Sequence, residues 1–159
     1  AQAVLKARGV TCRKLNVSAA FHSALVADAQ KPLAAVLEGV EFSAPRVPVF
    51  SNTTGQAYPS SPDRSRAQFA QQLALPVQFV GEIEGMYALG VRTFLEVGPG
   101  SKMGGLVRAI LGERPHTVLA VDASSGQRSG VADLARVLAQ LAAAGHAAAV
   151  SASRPSSPM

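Results

Sequence analysis

Short apolar runs alternate with segments of helical apolar spacing along most of the chain. Residues 93–97 and 117–121 are apolar runs of strand type, whereas residues 103–111 and 131–141 repeat apolar side chains at the spacing of a helix. Strands that alternate with helices in this way predict an α/β domain with a largely parallel sheet. Ligands of such sheets bind at the carboxyl ends of the strands, so the turns that follow the strands are where a site is expected.

The same patterns predict the elements of the remaining chain. Apolar periodicity sets the type of each element, and glycine, proline and capping residues set its ends. The predicted elements are a helix over residues 3–7 that ends at Gly9, a strand over residues 13–19, a helix from Ser23 to about residue 37 that kinks or breaks at Pro32, a strand over residues 47–50, a turn over residues 52–55, a helix that Asp63 caps, and a helix from Pro76 to Gly90.

Composition excludes several classes of protein. Apolar residues make up 48% and charged residues 16% of the 159-residue chain, which is unlike a chain that is disordered throughout. No run reaches the roughly 18 uncharged apolar residues of a spanning helix, so no membrane segment is predicted. The single cysteine, Cys12, allows no internal disulfide, which fits the reducing cytosol and predicts a cytoplasmic protein.

The formal net charge of +5 could favour nucleic acid, an anionic cofactor or an acidic protein as a partner, and it fits equally a solvated, arginine-rich surface that has none of these partners. Proteins that bind single strands place aromatic side chains among basic ones so that the bases can stack on them. This chain has no Trp and only two Tyr, and its basic residues are spread out. We therefore predict that nucleic acid is not a partner.

His22 occupies the most informative position, where an apolar strand-like stretch turns into a predicted helix. A junction of this kind can hold one side chain rigidly at a sheet edge, and an imidazole there can act as a general base near neutral pH. A histidine that caps a helix, or that is buried and hydrogen-bonded, fits the same position. From its position alone both roles stay open.

The segment Gly-Pro-Gly-Ser-Lys at residues 98–102 opens a helix after a strand, where backbone N–H groups attract anions. It matches neither glycine-rich phosphate motif, so a packing turn is the alternative. Glu96, which ends the strand, is predicted to have a structural role in satisfying the turn amides. No serine lies in a Gly-x-Ser-x-Gly elbow, and no His, Cys or carboxylate pair has metal-ligand spacing, so no metal site is predicted.

Four short motifs stand in order along the chain. They are Ala19-Ala20-Phe21-His22-Ser23, Ser51-Asn52-Thr53-Thr54-Gly55, Pro76-Val77-Gln78-Phe79 and Phe94-Leu95-Glu96-Val97-Gly98-Pro99-Gly100. In this order and spacing they resemble the C-terminal half of the acyltransferase domain of polyketide synthases and of malonyl-CoA:acyl-carrier-protein transacylases. Residues 29–32 and 54–57 look closest to the type found in polyunsaturated fatty acid synthases. The resemblance covers roughly residues 3–122.

The resemblance implies a partial α/β-hydrolase-like acyltransferase core together with the end of an inserted ferredoxin-like subdomain. Residues 1–19 would end that small subdomain, residues 20–122 would form the C-terminal part of the core, residues 123–146 the linker helix that follows it, and residues 147–159 a flexible tail. The chain would thus be a C-terminal fragment, and its partners would include the upstream half of the domain.

The chemistry of this family is the transfer of an acyl group from CoA to the phosphopantetheine thiol of an acyl carrier protein by a serine–histidine pair. The resemblance makes His22 the catalytic base and assigns the backbone carbonyl of Gln78 to hold its second ring nitrogen. It makes Phe21 and Asn52 substrate-binding residues, and the large ring of Phe21 favours malonyl because it would crowd an α-methyl branch. The CoA thioester and the thiol are substrates, so no cofactor is implied.

The family's Gly-His-Ser-x-Gly elbow has no counterpart in this sequence. A histidine without its serine cannot form the acyl-enzyme, so the chain alone is predicted to be inactive. The alternative function is that of a non-catalytic, degenerate acyltransferase module that docks a carrier protein or neighbouring synthase domains. The basic surface fits both functions, because carrier proteins are commonly acidic and CoA carries phosphates.

Overall fold

The computed structural model describes residues 2–13 and 16–147, and the chain divides into two units, residues 1–79 and 80–159. In chain order the elements are helix α1 (Gln2–Ala7), a 3-10 helix (Ala24–Ala29), helices α2 (Gln30–Glu38), α3 (Pro62–Gln71) and α4 (Phe79–Ala88), strand β1 (Thr93–Pro99), helix α5 (Lys102–Leu111), strand β2 (Thr117–Asp122) and helix α6 (Gly130–Ala143). Helices and strands alternate in the second unit, which confirms the α/β class.

The helix predicted to begin at Ser23 and to kink or break at Pro32 is present as two helices. Ser23 caps the 3-10 helix, because its hydroxyl oxygen accepts the N–H of Leu25 at 3.3 Å. Helix α2 then begins at Gln30, which places Pro32 in its first turn, where the N–H that proline lacks has no partner inside a helix. The break therefore precedes the proline.

Helices α2 and α3 pack on each other in the first unit. Leu37 of α2 and Ala70 of α3 are buried. Phe42, which follows α2, meets Phe69 of α3 edge to face, with ring centroids 6.3 Å apart. These contacts hold α3, whose C-terminal end contacts His22.

Two predicted strands are not found in the described part of the first unit. Residues 13 and 16–19 form no strand, and residues 14 and 15 lie outside the described residues. Of residues 47–50 only Phe50 pairs, through an isolated antiparallel bridge to Ala57. An alternating pattern gives a strand its two faces, but its N–H and C=O groups also need a neighbouring strand. The ferredoxin-like subdomain, which the first of these strands would complete, stays a prediction.

Two helix starts differ from the predicted ones. Ser61, not Asp63, caps α3, and Pro62 is the first helical residue. Proline suits that position because its fixed φ is already helical and its missing N–H would have had no helical partner. Helix α4 begins at Phe79 rather than at Pro76.

The second unit contains the sheet. Strands β1 and β2 pair in parallel, which confirms the predicted parallel arrangement for these two strands. Helix α5 packs on both strands, and α6 packs on β2. Gly104 allows α5 to lie close to β2, because a Cβ at that position would be 2.9 Å from Cγ1 of Val118 in that strand. The buried apolar side chains of this unit are Ile83, Val107, Leu111, Leu119 and Val137.

A buried carboxylate holds the loop between β2 and α6. Asp133, in the first turn of α6, accepts the backbone N–H of Ser124 at 3.2 Å and also accepts the hydroxyl of Ser124. These hydrogen bonds, chiefly the one from the hydroxyl, lower the pKa of the Asp133 carboxyl. The folded chain therefore favours the ionised form of this carboxyl more than the unfolded chain does.

Because folding lowers the pKa of Asp133, its carboxylate stabilises the fold above the usual carboxyl pKa of about 4, and this stabilisation is lost as the pH falls through the lower pKa of the folded state. We expect Ser124→Ala to lower the midpoint of urea unfolding near neutral pH and to have a smaller effect in strong acid. Ser129→Ala is the matched control, since that N-cap side chain makes no capping hydrogen bond. An effect of Ser124→Ala that is the same at both pH values would contradict this role of Asp133.

No helix within residues 2–13 and 16–147 is long and apolar enough to cross a membrane. The predicted tail, residues 147–159, lies outside the described residues from residue 148 onward. The predicted domain boundaries after residues 19 and 122 stay predictions.

Candidate functional site

His22 lies just before the 3-10 helix and has a left-handed backbone, with φ of +59°. Histidine adopts this conformation more readily than most residues that carry a Cβ. The backbone N–H of His22 donates to the carbonyl of Leu73 at 2.9 Å, and the neighbouring Ser23 hydroxyl donates to the carbonyl of Ala20 at 2.6 Å. These bonds hold the uncommon backbone conformation and so fix the direction in which the imidazole leaves the chain.

A carbonyl group binds one side of the imidazole ring. Nδ1 of His22 lies 3.0 Å from the backbone carbonyl oxygen of Gln72. A carbonyl oxygen can only accept a hydrogen bond, so the hydrogen is on Nδ1 and this nitrogen donates. In the neutral ring Nε2 then carries a lone pair and no proton, which is the state that a general base needs.

Gln72 is the C-cap residue of α3. The last carbonyl groups of a helix have no partners inside the helix, and the imidazole satisfies one of these groups. The end of α3 therefore orients the ring.

The carbonyl that contacts Nδ1 belongs to Gln72, whereas the sequence motif predicts Gln78, and the role of the Gln78 carbonyl stays a prediction. The backbone N–H of Gln78 donates instead to the carbonyl of Asn52 at 2.7 Å, and α4 begins only at the next residue. A backbone contact leaves no side-chain signature in a motif, which is why the sequence pattern misses Gln72. The physical signal that points to Gln72 is its place at the end of a helix, where unpaired carbonyl groups occur.

Asn52 lies in the predicted turn, which the structure confirms. Ser51 is fully buried, and its hydroxyl oxygen accepts the N–H of Thr53 at 3.2 Å. The turn closes at Gly55, whose φ of +67° suits glycine. Asn52 is half-buried and joins the turn to Gln78 through its carbonyl. Substrate binding by Asn52 stays a prediction.

Phe21 directly precedes the histidine, and 53% of its surface is exposed. The ring is therefore only partly used in packing within the described chain, which leaves it accessible to a bound molecule. Its predicted contact with an acyl group stays a prediction.

An apolar cavity of about 190 Å³ lies beside His22. Leu33 of α2, together with Phe69 of α3 and Leu73, lines it. These apolar side chains give the ring a mostly apolar surface on one side, in a groove that is open to solvent.

The turn after β1 is filled by a side chain of the same unit. The carboxylate of Glu96 accepts the N–H of Met103 at 3.2 Å and that of Gly104 at 2.9 Å, and the N–H of Gly100 donates to Asp122 at 3.3 Å. The predicted structural role of Glu96 is therefore confirmed. Residues 98–102 act as a packing turn, since an internal carboxylate already occupies the start of α5.

The arrangement around His22 can take up and release a proton at Nε2. The sequence holds no serine in a Gly-x-Ser-x-Gly elbow that could act with it as a nucleophile. Within the part of the chain that the structure describes, no three His, Cys, Asp or Glu side chains cluster closely enough to hold a metal ion.

No protein-family model matches the chain, but individual proteins of known sequence and of known structure do. The spectinabilin polyketide synthase system protein NorB of Streptomyces orinoci is 34% identical over 73% of this chain. The malonyl CoA-acyl carrier protein transacylase of Clostridium perfringens has a similar structure, with a TM-score of 0.78 and 30% identity over 91% of this chain. The complex PlMCAT:AntF, a type II polyketide synthase acyl-carrier protein with its malonyl-transacylase, contains a similar chain, with a TM-score of 0.68 and 33% identity over 82% of this chain.

The chain spans only part of each relative. It covers 5% of the Streptomyces protein, 42% of the Clostridium transacylase and 41% of the matched chain in the complex. The homologues and structural neighbours of this chain are malonyl-CoA:acyl carrier protein transacylases and the acyltransferase domains of polyketide and polyunsaturated fatty acid synthases, and they cover most of its length.

Proposed function

We propose that this chain supplies the histidine of a serine–histidine acyltransferase site, which moves a malonyl-type acyl group from CoA to the phosphopantetheine thiol of an acyl carrier protein. The observation that carries the proposal is the hydrogen bond from Nδ1 of His22 to the Gln72 carbonyl, which leaves Nε2 as a base. A serine from outside these 159 residues provides the nucleophile.

In the first half-reaction Nε2 of His22 accepts the proton of the serine hydroxyl as its oxygen attacks the thioester carbonyl. The ring then returns the proton to the sulfur of CoA, which leaves as a thiol, and the acyl group remains on the serine as an ester. In the second half-reaction Nε2 takes the proton of the phosphopantetheine thiol, the sulfur attacks the ester, and the proton goes to the released serine. The imidazole ends each half-reaction neutral.

The acyl substrate is malonyl. Several relatives of this chain are named as malonyl CoA-acyl carrier protein transacylases, and Phe21 stands beside the base with its ring exposed. A large ring at that point leaves little room for a branch on the α-carbon. CoA thioester and phosphopantetheine thiol both act as substrates, so the reaction proceeds without a bound cofactor, and the single cysteine fits a cytoplasmic setting.

The carrier protein is the acyl acceptor. A solved relative is a malonyl-transacylase bound to its acyl-carrier protein, which supports such a partner for this chain. The net charge of +5 suits an acidic partner and an anionic acyl-CoA alike.

Loading with radiolabelled malonyl-CoA tests the proposal. The chain alone is expected to acquire no covalent label, whereas the polypeptide that joins these residues to a Gly-x-Ser-x-Gly segment is expected to be labelled and to pass the label to a holo carrier protein. Acetyl-CoA is the comparison substrate and is expected to load more slowly.

Covalent labelling of the chain alone would place the nucleophile within these residues and contradict the shared site. A joined polypeptide that binds the carrier protein but never transfers label would support the alternative, a degenerate module that only docks carrier proteins or neighbouring synthase domains.

A further inference from the structure

Gln30 reaches the same helix end as His22. Its side-chain amide donates from Nε2 to the backbone carbonyl of Gln71 at 3.0 Å. The carbonyls of Gln71, Gln72 and Leu73 follow one another along the chain, and each accepts a hydrogen bond from Gln30 or His22. His22 provides two of these bonds, through its ring and through its backbone N–H.

These bonds attach both ends of the 3-10 helix to the end of α3. His22 lies before Ala24–Ala29, and Gln30 follows that helix directly. The 3-10 helix buries none of its residues, so packing does little to hold it. The apolar contacts between α2 and α3 set how closely the helices approach, whereas directional hydrogen bonds restrain the orientation of the peptide groups at the helix end.

The Gln71 carbonyl has a second, weaker partner. The N–H of Ala74 reaches it at 3.3 Å, which is longer than the bond from Gln30. The amide of Gln30 is therefore the closer hydrogen bond to the last carbonyl of α3. The next carbonyl along the chain is that of Gln72, so the direction of one peptide group influences that of the other.

We propose that Gln30 is a positioning residue for His22: its amide orients the last peptide groups of α3 so that the Gln72 carbonyl holds Nδ1–H of the ring. This inference rests on the proposed function of His22. Without the Gln30 bond the ring is less well aligned with the reacting serine and thiol, which slows the chemical step without weakening acyl-CoA binding.

The test measures kcat and KM for malonyl transfer in the polypeptide that carries both the nucleophilic serine and these residues. Gln30→Met keeps the length of the side chain and removes the donor, and it is expected to lower kcat about tenfold with KM within about twofold of the original. Gln30→Lys restores a donor of similar reach and is expected to recover most of kcat.

Gln68→Met is the matched control. It lies on α3, and its amide donates to the Thr54 hydroxyl at 3.2 Å, so it also loses one glutamine hydrogen bond in the same unit. It is expected to keep kcat and to show a change in melting temperature similar to that of Gln30→Met.

Each outcome decides the inference. A loss of kcat in Gln30→Met, with recovery in Gln30→Lys and little change in Gln68→Met, supports it. If His22→Ala abolishes transfer but Gln30→Met does not slow it, the positioning role is overturned and the proposed function stands. If Gln68→Met loses kcat equally, the effect is one of general stability and the positioning role is likewise overturned. If His22→Ala transfers malonyl normally, both proposals fail.

Discussion

Replacing His22 with asparagine is expected to lower the rate of malonyl transfer about a thousandfold in the polypeptide that also carries the serine, because a general base contributes roughly 10²–10⁴ to the rate. Asparagine tolerates the left-handed backbone that His22 adopts, and its amide can still donate to the Gln72 carbonyl. The variant therefore keeps the local fold and removes only the base. Radiolabel transfer from malonyl-CoA to a holo carrier protein measures the loss.

His116→Asn is the matched control for this variant. Its ring also places Nδ1 on a backbone carbonyl, that of Arg114 at 2.6 Å, but it belongs to the second unit and to no proposed site. Transfer by His116→Asn is expected to match that of the unsubstituted protein. A His22→Asn variant that transfers malonyl as fast as His116→Asn would remove His22 from the mechanism.

Leu111→Ala is expected to lower the free energy of unfolding of the chain by about 3 kcal/mol, since large-to-small changes at buried leucines cost roughly 2–5 kcal/mol. Leu111 ends α5 and exposes 2% of its surface. Shortening it leaves a cavity in a unit whose sheet has only two strands among the described residues, so few neighbours can move to fill the space. Urea unfolding followed by far-ultraviolet circular dichroism measures the loss.

Leu106→Ala on the same helix is the matched control. It makes the same change in helix propensity as Leu111→Ala but leaves no buried cavity, so it shows how much of the lost stability comes from the cavity. Leu106 exposes 49% of its surface, so its loss is expected to cost less than about 1 kcal/mol. Equal losses at the two positions would show that burial at the end of α5 does not decide the stability of this unit.

The elements of the second unit could be predicted from sequence because each is determined locally. Residues 93–97 and 117–121 are apolar runs that became β1 and β2, and Gly90 and Gly145 stand at helix ends with φ of +92° and +83°. Residues 13–19 and 47–50 carry strand patterns of the same kind without forming strands in the described chain. The difference is the neighbouring strand, which a local pattern does not encode.

The candidate site could be predicted only in part, again because contacts between residues distant in sequence are not encoded in a local pattern. His22 could be located because its side chain and the junction around it are visible in the sequence. The hydrogen-bond partner of His22 could not be located in the same way, because every residue has a backbone carbonyl. The motif predicts the carbonyl of Gln78, whereas the structure has that of Gln72, at the end of α3. The contact of Gln30 could not be predicted for a related reason: its amide donates to the backbone carbonyl of Gln71, which is distant in sequence.

The carboxylate of Glu96 accepts hydrogen bonds from N–H groups in the first turn of α5. The turn over residues 98–102 therefore has an anion from the same chain at the place where a bound anion would lie. A glycine-rich loop that waits for a phosphate gains part of its order from the ligand, and its shape varies with occupancy. Here the negative charge comes from Glu96 of the preceding strand. The partial positive charge at the start of α5 is therefore compensated within the chain once it has folded. The carboxyl edge of β1 is thus a part of the second unit in which the chain itself supplies the negative charge that a helix start attracts.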